Sequence, residues 1–207
     1  MKIQLAIDRV SIQEAISIIE QVEEYVDIIE IGTSLIKEFG MASVREIRKK
    51  YPNIIIFADI KTMDEAKYEF ELAYRSGADI LSVMGASSLS TIRTCQEVAI
   101  KYKKEYAIDL LEVNDEKLHR LEEFDDAIKC IHASVDDNNV NVEALLKNTK
   151  KKFRKKQRIS LAGGISLGNI PVLLKEKVDI IVVGNFICKS NDCKASSKEF
   201  RDALSTK

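Results

Sequence analysis

The segment IIIFADIKTMDEAKYE, residues 54–69, decides the predicted fold, because an apolar run leads directly into three charged residues. Asp59, Lys61 and Asp64 follow one another at spacings of two and three residues. A nearly continuous apolar run is typical of a strand buried on both faces of a parallel sheet. A charge at the end of such a strand is costly unless it is paired or bound. The segment therefore predicts a buried strand that ends at the floor of a polar site.

The same pattern recurs along the chain as eight short apolar runs rich in β-branched residues. They are IQLAID (3–8), DIIEIG (27–32), IIIFADI (54–60), ADILSVM (78–84), EYAIDLL (105–111), AIKCIHA (127–133), RISLAGG (158–164) and VDIIVVGN (178–185). Between them, apolar residues recur at three- and four-residue spacings, which indicates helices. The first of these helical stretches opens with Ser11 and Glu14, the spacing of a capping box.

Strand–helix alternation repeated eight times predicts an α/β fold of the (β/α)₈ TIM barrel type. The alternative is a doubly wound open sheet, but eight uninterrupted units favour the barrel. We find no linker-like segment, so residues 1–207 are predicted to form a single (β/α)₈ barrel domain.

Composition and charge exclude several classes of protein. The chain has 207 residues, is 45% hydrophobic and carries a net charge of −1, so no overall field attracts nucleic acid or membrane. Its apolar runs fall well short of the roughly 20 residues that a membrane span needs. We see no signal peptide and no Cys-x-x-Cys pair among the four cysteines, which indicates a cytoplasmic protein with reduced thiols. The basic stretch 147–158 could suggest RNA binding, but a solvated helix is the better interpretation.

Polar residues close the predicted strands at one place in each unit. They are Asp8, Glu30, Asp59, Lys61, Asp109 and His132. In a barrel these strand ends converge on the face where active sites lie. We therefore expect these side chains to form one site.

Each of these residues also has a structural interpretation. Asp59 and Lys61 could form a purely structural ion pair. Asp64 and Glu65 could be first-turn acids of a helix with Thr62 as its N-cap. His132 could be a hydrogen-bonded structural residue, although its place among carboxylates favours proton transfer.

The carboxylates Glu30 and Asp59 suggest a metal site. Glutamate is a poor helix cap, and Thr33 or Ser34 could cap the helix that follows, so Glu30 needs another partner. Two strand-end carboxylates suit Mg²⁺, with water and substrate completing its coordination.

Glycine turns close the last two predicted strands, at Gly163–Gly164 and at Gly184. A glycine before a helix can simply allow a tight turn. The loops after the seventh and eighth strands of barrels, however, commonly bind phosphate through backbone N–H groups. We expect a phosphorylated ligand at these turns.

Several segments together resemble a known family. LAID (5–8), VDIIEIGTSLI (26–36), ADIKTMD (58–64), GADILSVMG (77–85), IHASVDDN (131–138), LAGGIS (161–166) and IVVGN (181–185) are similar to the orotidine 5'-monophosphate decarboxylase superfamily. Within it, the chain resembles the 3-hexulose-6-phosphate synthase / 3-keto-L-gulonate-6-phosphate decarboxylase family. The resemblance covers almost the whole chain, and the Asp-x-Lys-x-x-Asp motif at Asp59, Lys61 and Asp64 is its most specific part.

The resemblance implies a homodimeric barrel that binds Mg²⁺ and a phosphorylated ketose at sites on the subunit interface. It implies that Glu30 and Asp59 are metal ligands and that Lys61 stabilises an enediolate. The other implied site residues are Asp64 from the partner subunit, Asp109 lining the site, His132 as proton shuttle, Asp8 on substrate hydroxyls, and Gly163, Gly164, Gly184 and Asn185 on phosphate. We also count Thr33 and Asp136 among the substrate-binding residues.

Two residues bear on the choice of reaction within the family. Val135 stands where the decarboxylase has an arginine, and Asp136 matches the synthase pattern. We therefore expect an aldolase that adds formaldehyde to D-ribulose 5-phosphate. The decarboxylase is the main alternative. A phosphosugar epimerase would need a second catalytic group, and a non-catalytic phosphosugar-binding barrel would not need this charged set. At the predicted phosphate loop, the pair Gly184-Asn185 stands where the family often has Gly-Arg or Gly-Gly.

Overall fold

The computed structural model describes residues 1–134, 136 and 141–205. Eight parallel strands hydrogen-bond in sequence order, and β8 pairs with β1, which closes the barrel. The strands are β1 (Lys2–Ile7), β2 (Ile28–Ile31), β3 (Ile55–Thr62), β4 (Ile80–Met84), β5 (Glu105–Asp109), β6 (Ile128–His132), β7 (Arg158–Ala162) and β8 (Ile180–Val183). The predicted (β/α)₈ barrel is confirmed.

Helices alternate with the strands, as the spacing of apolar residues predicts. They are α1 (Ile12–Val22), α2 (Thr33–Phe39), α3 (Ala42–Lys50), α4 (Ala66–Arg75), α5 (Leu89–Tyr102), α6 (Asp115–Leu121), α7 (Val142–Lys152), α8 (Ile170–Lys175), α9 (Asn185–Cys188) and α10 (Cys193–Ser205). A 3₁₀ turn, Leu167–Asn169, precedes α8. The predicted capping box of α1 is present, since Ser11 and Glu14 each accept a hydrogen bond from the other's backbone N–H group.

Two buried clusters divide the core between the outside and the inside of the barrel. The larger cluster packs the outward side chains of the strands against the helices. The smaller fills the barrel interior with Ile28, Phe57, Ile80, Ala107, Ile128 and Ile180. In each of these six strands, the residue two positions after the interior residue also faces the barrel interior. These next residues are Glu30, Asp59, Ser82, Asp109, Cys130 and Val182. The barrel interior therefore changes from apolar to mostly polar within one side-chain layer, toward the carboxyl ends of the strands.

The basic stretch 147–158 only partly continues as helix. Helix α7 ends at Lys152, and the backbone N–H groups of Arg154 and Lys155 donate to the buried Glu122 carboxylate instead of continuing the helix. Lys152 forms an ion pair with Asp115. Within the described residues, no helix is both long enough and apolar enough to cross a membrane.

Aspartates tie neighbouring strands together at the amino-terminal end of the barrel. Asp27, Asp79 and Asp179 stand immediately before β2, β4 and β8. Their carboxylates accept hydrogen bonds from the backbone N–H groups of Ile3, Ile56 and Ile159 at 2.7, 2.9 and 2.8 Å. The repeated Asp-Ile dipeptide thus fixes the start of one strand against the strand before it.

Asp79 makes more contacts than the other two aspartates, since it also forms ion pairs with Arg48 and Lys104. Burial by itself would raise the pKa of Asp79, but Lys104, the Ile56 N–H group and Arg48 together hold it below its usual value. We expect Asp79→Ala to lower the free energy of unfolding at neutral pH by about 1.5–3 kcal/mol, the typical value of a hydrogen bond to a charged group. Chemical denaturation of the two proteins measures the difference.

The contribution of Asp79 to the free energy of unfolding depends on pH in a definite direction. Because the folded-state pKa of Asp79 is depressed, its contribution is present above the unfolded-state pKa and is lost as pH falls through the folded-state pKa. The difference between wild type and Asp79→Ala should therefore narrow in acid. Asp125→Ala, at an exposed position, is the control. Equal stability of the two variants at neutral pH would contradict this account of the strand tie.

Candidate active site

Four of the predicted site residues form one connected charged cluster at the carboxyl ends of β3, β5 and β6. The Lys61 Nζ atom lies 3.0 Å from Asp59 Oδ2 and 2.9 Å from Asp109 Oδ2. His132 Nδ1 lies 3.2 Å from the same Asp109 oxygen. The ammonium is thus held between two carboxylates, and the second carboxylate also contacts the imidazole.

Asp59 is held by two hydroxyl groups that approach from neighbouring elements. Thr33 Oγ1, at the start of α2, lies 2.8 Å from Asp59 Oδ2, and Ser82 Oγ of β4 donates to Asp59 Oδ1 at 2.7 Å. Thr33 was predicted at the site as a substrate-binding residue. Ser82 was missed, although a serine two positions after Ile80 in an apolar strand was a signal that could have found it.

Lys61 has an unusual backbone conformation. Its φ is +48°, in the left-handed region that non-glycine residues rarely adopt. The pairing of β3 with β4 shifts register between Ala58 and Thr62, which makes a local irregularity of the bulge type. The irregular part of β3 therefore includes both Asp59 and Lys61.

The ionisation of this cluster follows from its contacts. Burial alone would lower the pKa of Lys61, but the charges and hydrogen bonds of Asp59 and Asp109 raise it above its usual value. Burial would likewise raise the pKa of Asp109, but its hydrogen bond with His132 and the Lys61 charge lower it to about 2. The Leu111 N–H group also donates to Asp109 Oδ1 at 2.9 Å. At neutral pH the cluster therefore holds an ammonium and an ionised Asp109.

Glu30 lies beside this cluster and is 8% exposed. Its Oε2 atom accepts a 2.7 Å hydrogen bond from Gln4 Nε2. Burial and the nearby charge of Asp59 raise the pKa of Glu30 to about 8, against the lowering effects of Gln4 and Lys61. Gln4 is a second residue that the sequence did not reveal, and its Oε1 atom is buried without a hydrogen-bond partner.

Asp8 stands one residue beyond β1 and is exposed. Its Oδ1 atom accepts hydrogen bonds from Ser34 Oγ at 2.6 Å and from the Ser34 N–H group at 3.3 Å. A Cβ atom on Gly32 would lie 2.3 Å from the Asp8 carboxylate, so Asp8 could keep this position only beside a glycine. The N-cap residue of α2 is Gly32, and Asp8 satisfies an N–H group of that first turn. The expectation that Thr33 or Ser34 would cap this helix is wrong.

Glycine turns follow β7 and β8, as predicted. Gly163 and Gly164 have φ values of +93° and +65°, and a Cβ atom on Gly163 would lie 2.8 Å from the Ala133 Cβ atom. Gly184 follows β8, and the exposed Asn185 is the first residue of α9. These turns border the same mouth of the barrel as the charged cluster.

The remaining predicted residues lie apart from this cluster. Asp64 is exposed, and its Oδ1 atom accepts a hydrogen bond from the Glu65 N–H group at 2.8 Å. Asp136 is exposed, and its N–H group donates to Ser134 Oγ. Val135 lies outside the described residues.

The interpretation of Thr62 as a helix N-cap is wrong. Thr62 is the last residue of β3, is 1% exposed, and contacts Glu69 through its hydroxyl group at 2.5 Å. The N-cap residue of α4 is instead Glu65, whose φ is +53°. Met63 and Asp64 therefore connect the end of β3 to the N-cap residue of α4.

Two carboxylates of the site are chemically suited to a divalent cation. Among the described residues, no group of three or more His, Cys, Asp or Glu side chains has the arrangement of a metal site. The charge of Asp59 adds to the effect of burial in raising the pKa of Glu30, so the two carboxylates lie close enough to repel each other. A cation between them would relieve this repulsion, and two carboxylates with open positions are a donor set that Mg²⁺ accepts. The residues present therefore fit the ion.

Known proteins resemble this chain over nearly its whole length. A 3-hexulose-6-phosphate synthase from Bacillus subtilis (strain 168) is 34% identical over an alignment 213 positions long, which covers 99% of each chain. The crystal structure of a 3-hexulose-6-phosphate synthase from Salmonella typhimurium has a TM-score of 0.93 and 30% identity, and it covers 99% of this chain and 98% of that one. A crystal structure of KGPDC from Streptococcus mutans has a TM-score of 0.90 at 22% identity, over 98% of this chain and 96% of that one, and shows the shared fold alone.

The family resemblance predicted from the sequence motifs is confirmed. Residues 1–200 match the description orotidine 5'-phosphate decarboxylase / HUMPS family. The match spans all eight strands and every residue of the charged cluster. This chain therefore belongs to the orotidine 5'-phosphate decarboxylase / HUMPS family and is a carbon–carbon lyase.

Proposed function

We propose that this chain is a 3-hexulose-6-phosphate synthase-like aldolase that adds formaldehyde to D-ribulose 5-phosphate through an enediolate. Relatives at 34% and 30% identity carry the synthase name, whereas KGPDC shares 22% identity. The observation that carries the proposal is the Lys61 ammonium held between Asp59 and Asp109. Such a fixed positive charge is what a developing enediolate requires.

Lys61 stabilises the negative charge that develops on the substrate oxygen. The two carboxylates raise the pKa of Lys61, so the amine stays protonated while it acts. Because both carboxylates already hold Nζ in place, little reorganisation is needed when the substrate charge appears. Lys61 is accordingly an electrostatic group in this mechanism and does not act as a base.

His132 moves the proton on the carbon next to the ketose carbonyl. An ionised Asp109 can only accept hydrogen bonds, so His132 Nδ1 is the donor in the 3.2 Å contact. This leaves Nε2 free to take the proton. Asp109 thereby orients His132 and fixes its tautomer while it also holds Lys61.

The phosphate of the ketose binds at the two glycine turns. Backbone N–H groups near Gly163, Gly164, Gly184 and Asn185 provide neutral donors of the kind that bind phosphate in barrels. Asp8, held by Ser34, and Asp136 on the β6 side accept hydrogen bonds from sugar hydroxyls. Thr33 orders Asp59 and lies at the edge of the same site.

Mg²⁺ is the proposed cofactor, with Glu30 and Asp59 as its protein ligands. When bound, the ion would supply Lewis-acid polarisation of the ketose oxygens. Gln4 holds Glu30 Oε2 and thereby orients the carboxylate. Ser82 and Thr33 do the same for Asp59.

Asp64 is proposed to serve the site of a partner subunit in a homodimer. Its described hydrogen bond is local, to Glu65, and it takes no part in the Lys61 cluster of its own barrel. Met63 and Tyr68, on either side of it, are 54% and 63% exposed, and both are large apolar side chains. A second copy of the chain packed on this surface would bring Asp64 to the neighbouring site.

The single domain over residues 1–207 and the cytoplasmic location stay predictions.

The first test concerns the metal. Asp59→Asn removes a ligand charge and a Lys61 partner while its shape is kept, so we expect activity to fall about 100- to 1,000-fold. EDTA should abolish wild-type activity and Mg²⁺ should restore it. Asp125→Asn is the control and should remain active. Full activity after EDTA treatment would show that the metal assignment is wrong.

The second test concerns the subunit boundary. If Asp64 acts across a symmetric dimer, an Asp59→Asn chain and an Asp64→Asn chain form a heterodimer with one intact site. Equal mixing with complete subunit exchange should restore about a quarter of wild-type activity, because half of the dimers are mixed and each has one intact site. Steady-state rates before and after exchange measure the recovery. No recovery, with exchange shown by mass-tagged subunits, would place Asp64 in its own barrel's site.

The third test decides between the two reactions. We expect the catalytic efficiency of formaldehyde addition to D-ribulose 5-phosphate to exceed that of decarboxylation of 3-keto-L-gulonate 6-phosphate. Val135 cannot donate hydrogen bonds to the extra carboxylate, and such a contact contributes about ten- to a hundred-fold in rate. Val135→Arg should shift the ratio toward decarboxylation by no more than this factor. Both efficiencies are measured on one preparation at saturating Mg²⁺, and a wild-type preference for the keto-gulonate would establish the decarboxylase instead.

A further inference from the structure

Ser82 links the two central residues of the site through a single oxygen atom. It lies in the middle of β4, is 2% exposed, and faces the barrel interior two positions after Ile80. Its Oγ atom donates to Asp59 Oδ1 at 2.7 Å and accepts from the Lys61 N–H group at 2.9 Å. One hydroxyl group thus contacts both the side chain of Asp59 and the backbone of Lys61.

The direction of these two hydrogen bonds is determined by chemistry. A hydroxyl group has one proton, and a backbone N–H group can only donate. The proton of Ser82 therefore points at the Asp59 carboxylate, and an oxygen lone pair receives the Lys61 N–H group. The two bonds use different parts of the same group, so both form at once.

The backbone at Lys61 needs such support. A left-handed conformation at a non-glycine residue is energetically unfavourable and persists only where its surroundings hold it. The register shift between β3 and β4 also takes the Lys61 N–H group out of the regular ladder. Ser82 supplies the acceptor from β4 itself, which keeps the irregular part of β3 attached to its neighbour.

We propose that Ser82 is a positioning residue that holds Asp59 and Lys61 in their reactive arrangement; the catalytic part of this proposal rests on the proposed aldolase function. Loss of its hydroxyl group leaves Asp59 Oδ1 without this donor and the Lys61 N–H group without its acceptor. Groups that orient ligands and catalytic residues in this way typically contribute about 10- to 100-fold to activity or metal affinity.

The chain offers a matched control for this residue. Ser160 of β7 is also 2% exposed and also faces the barrel interior, where its hydroxyl group donates to Cys130 Sγ at 3.0 Å. It contacts neither Asp59 nor Lys61 in the described structure. Ser160→Ala therefore removes the same atom from the same kind of environment without touching the cluster. Ser82→Thr keeps the hydroxyl group at the tested position.

The experiment compares Ser82→Ala, Ser82→Thr and Ser160→Ala with wild type by two independent measurements. Hydrogen exchange at the Lys61 amide, followed by NMR, should accelerate about tenfold in Ser82→Ala, because the acceptor of that N–H group is lost. The kcat for formaldehyde addition should fall about 10- to 100-fold with little change in the KM of the phosphosugar. Both values should return to within about fivefold of wild type in Ser82→Thr and stay unchanged in Ser160→Ala.

Two results would overturn the proposal. One is a Lys61 amide that exchanges no faster in Ser82→Ala than in Ser160→Ala. The other is a kcat that falls equally in the two alanine variants. If the wild type does not add formaldehyde at all, the aldolase function fails, and Lys61 exchange alone then decides whether Ser82 holds this part of β3. The two failures are therefore distinguishable.

Discussion

The site depends on one interaction, the placement of the Lys61 ammonium between the carboxylates of Asp59 and Asp109. Charges at the mouth of an apolar barrel are costly unless they are paired. The pairing keeps Lys61 protonated and holds Asp109 ionised, and the ionised Asp109 in turn orients His132. The charge state of each group therefore follows from its neighbours, and removal of any one member changes the other members as well.

The position of this cluster follows from the construction of the barrel. The strands bury isoleucine and phenylalanine inside their first half, and the next inward layer is mostly polar. Parallel strands bring all their carboxyl ends to one face, so residues far apart in sequence become neighbours there. At the opposite end, aspartates before β2, β4 and β8 tie the strands together. The aspartate ties thus lie at one end of the barrel, and the candidate active site lies at the other.

Sequence patterns predicted the eight strands, the capping box of α1 and the residues of the charged cluster, because each depends on local spacing and apolar character. They failed at Thr62, which is a strand residue in contact with Glu69 and not a helix cap. They also missed Ser82 and Gln4, since a serine or glutamine in an apolar run does not reveal its hydrogen-bond partner. Val135, on which the choice of reaction rests in part, lies outside the described residues.

The sequence by itself determined the barrel, the family and the identity of the charged residues, because strand periodicity and motif spacing are properties of consecutive residues. The tertiary structure alone decided how those residues meet. It placed Lys61 in a left-handed conformation beside a register shift, and it brought the Ser82 hydroxyl group to both Asp59 and Lys61. These contacts join β3 to β4 and α2 across more than twenty residues of chain. Their geometry is set by barrel closure and strand register, which no local pattern specifies.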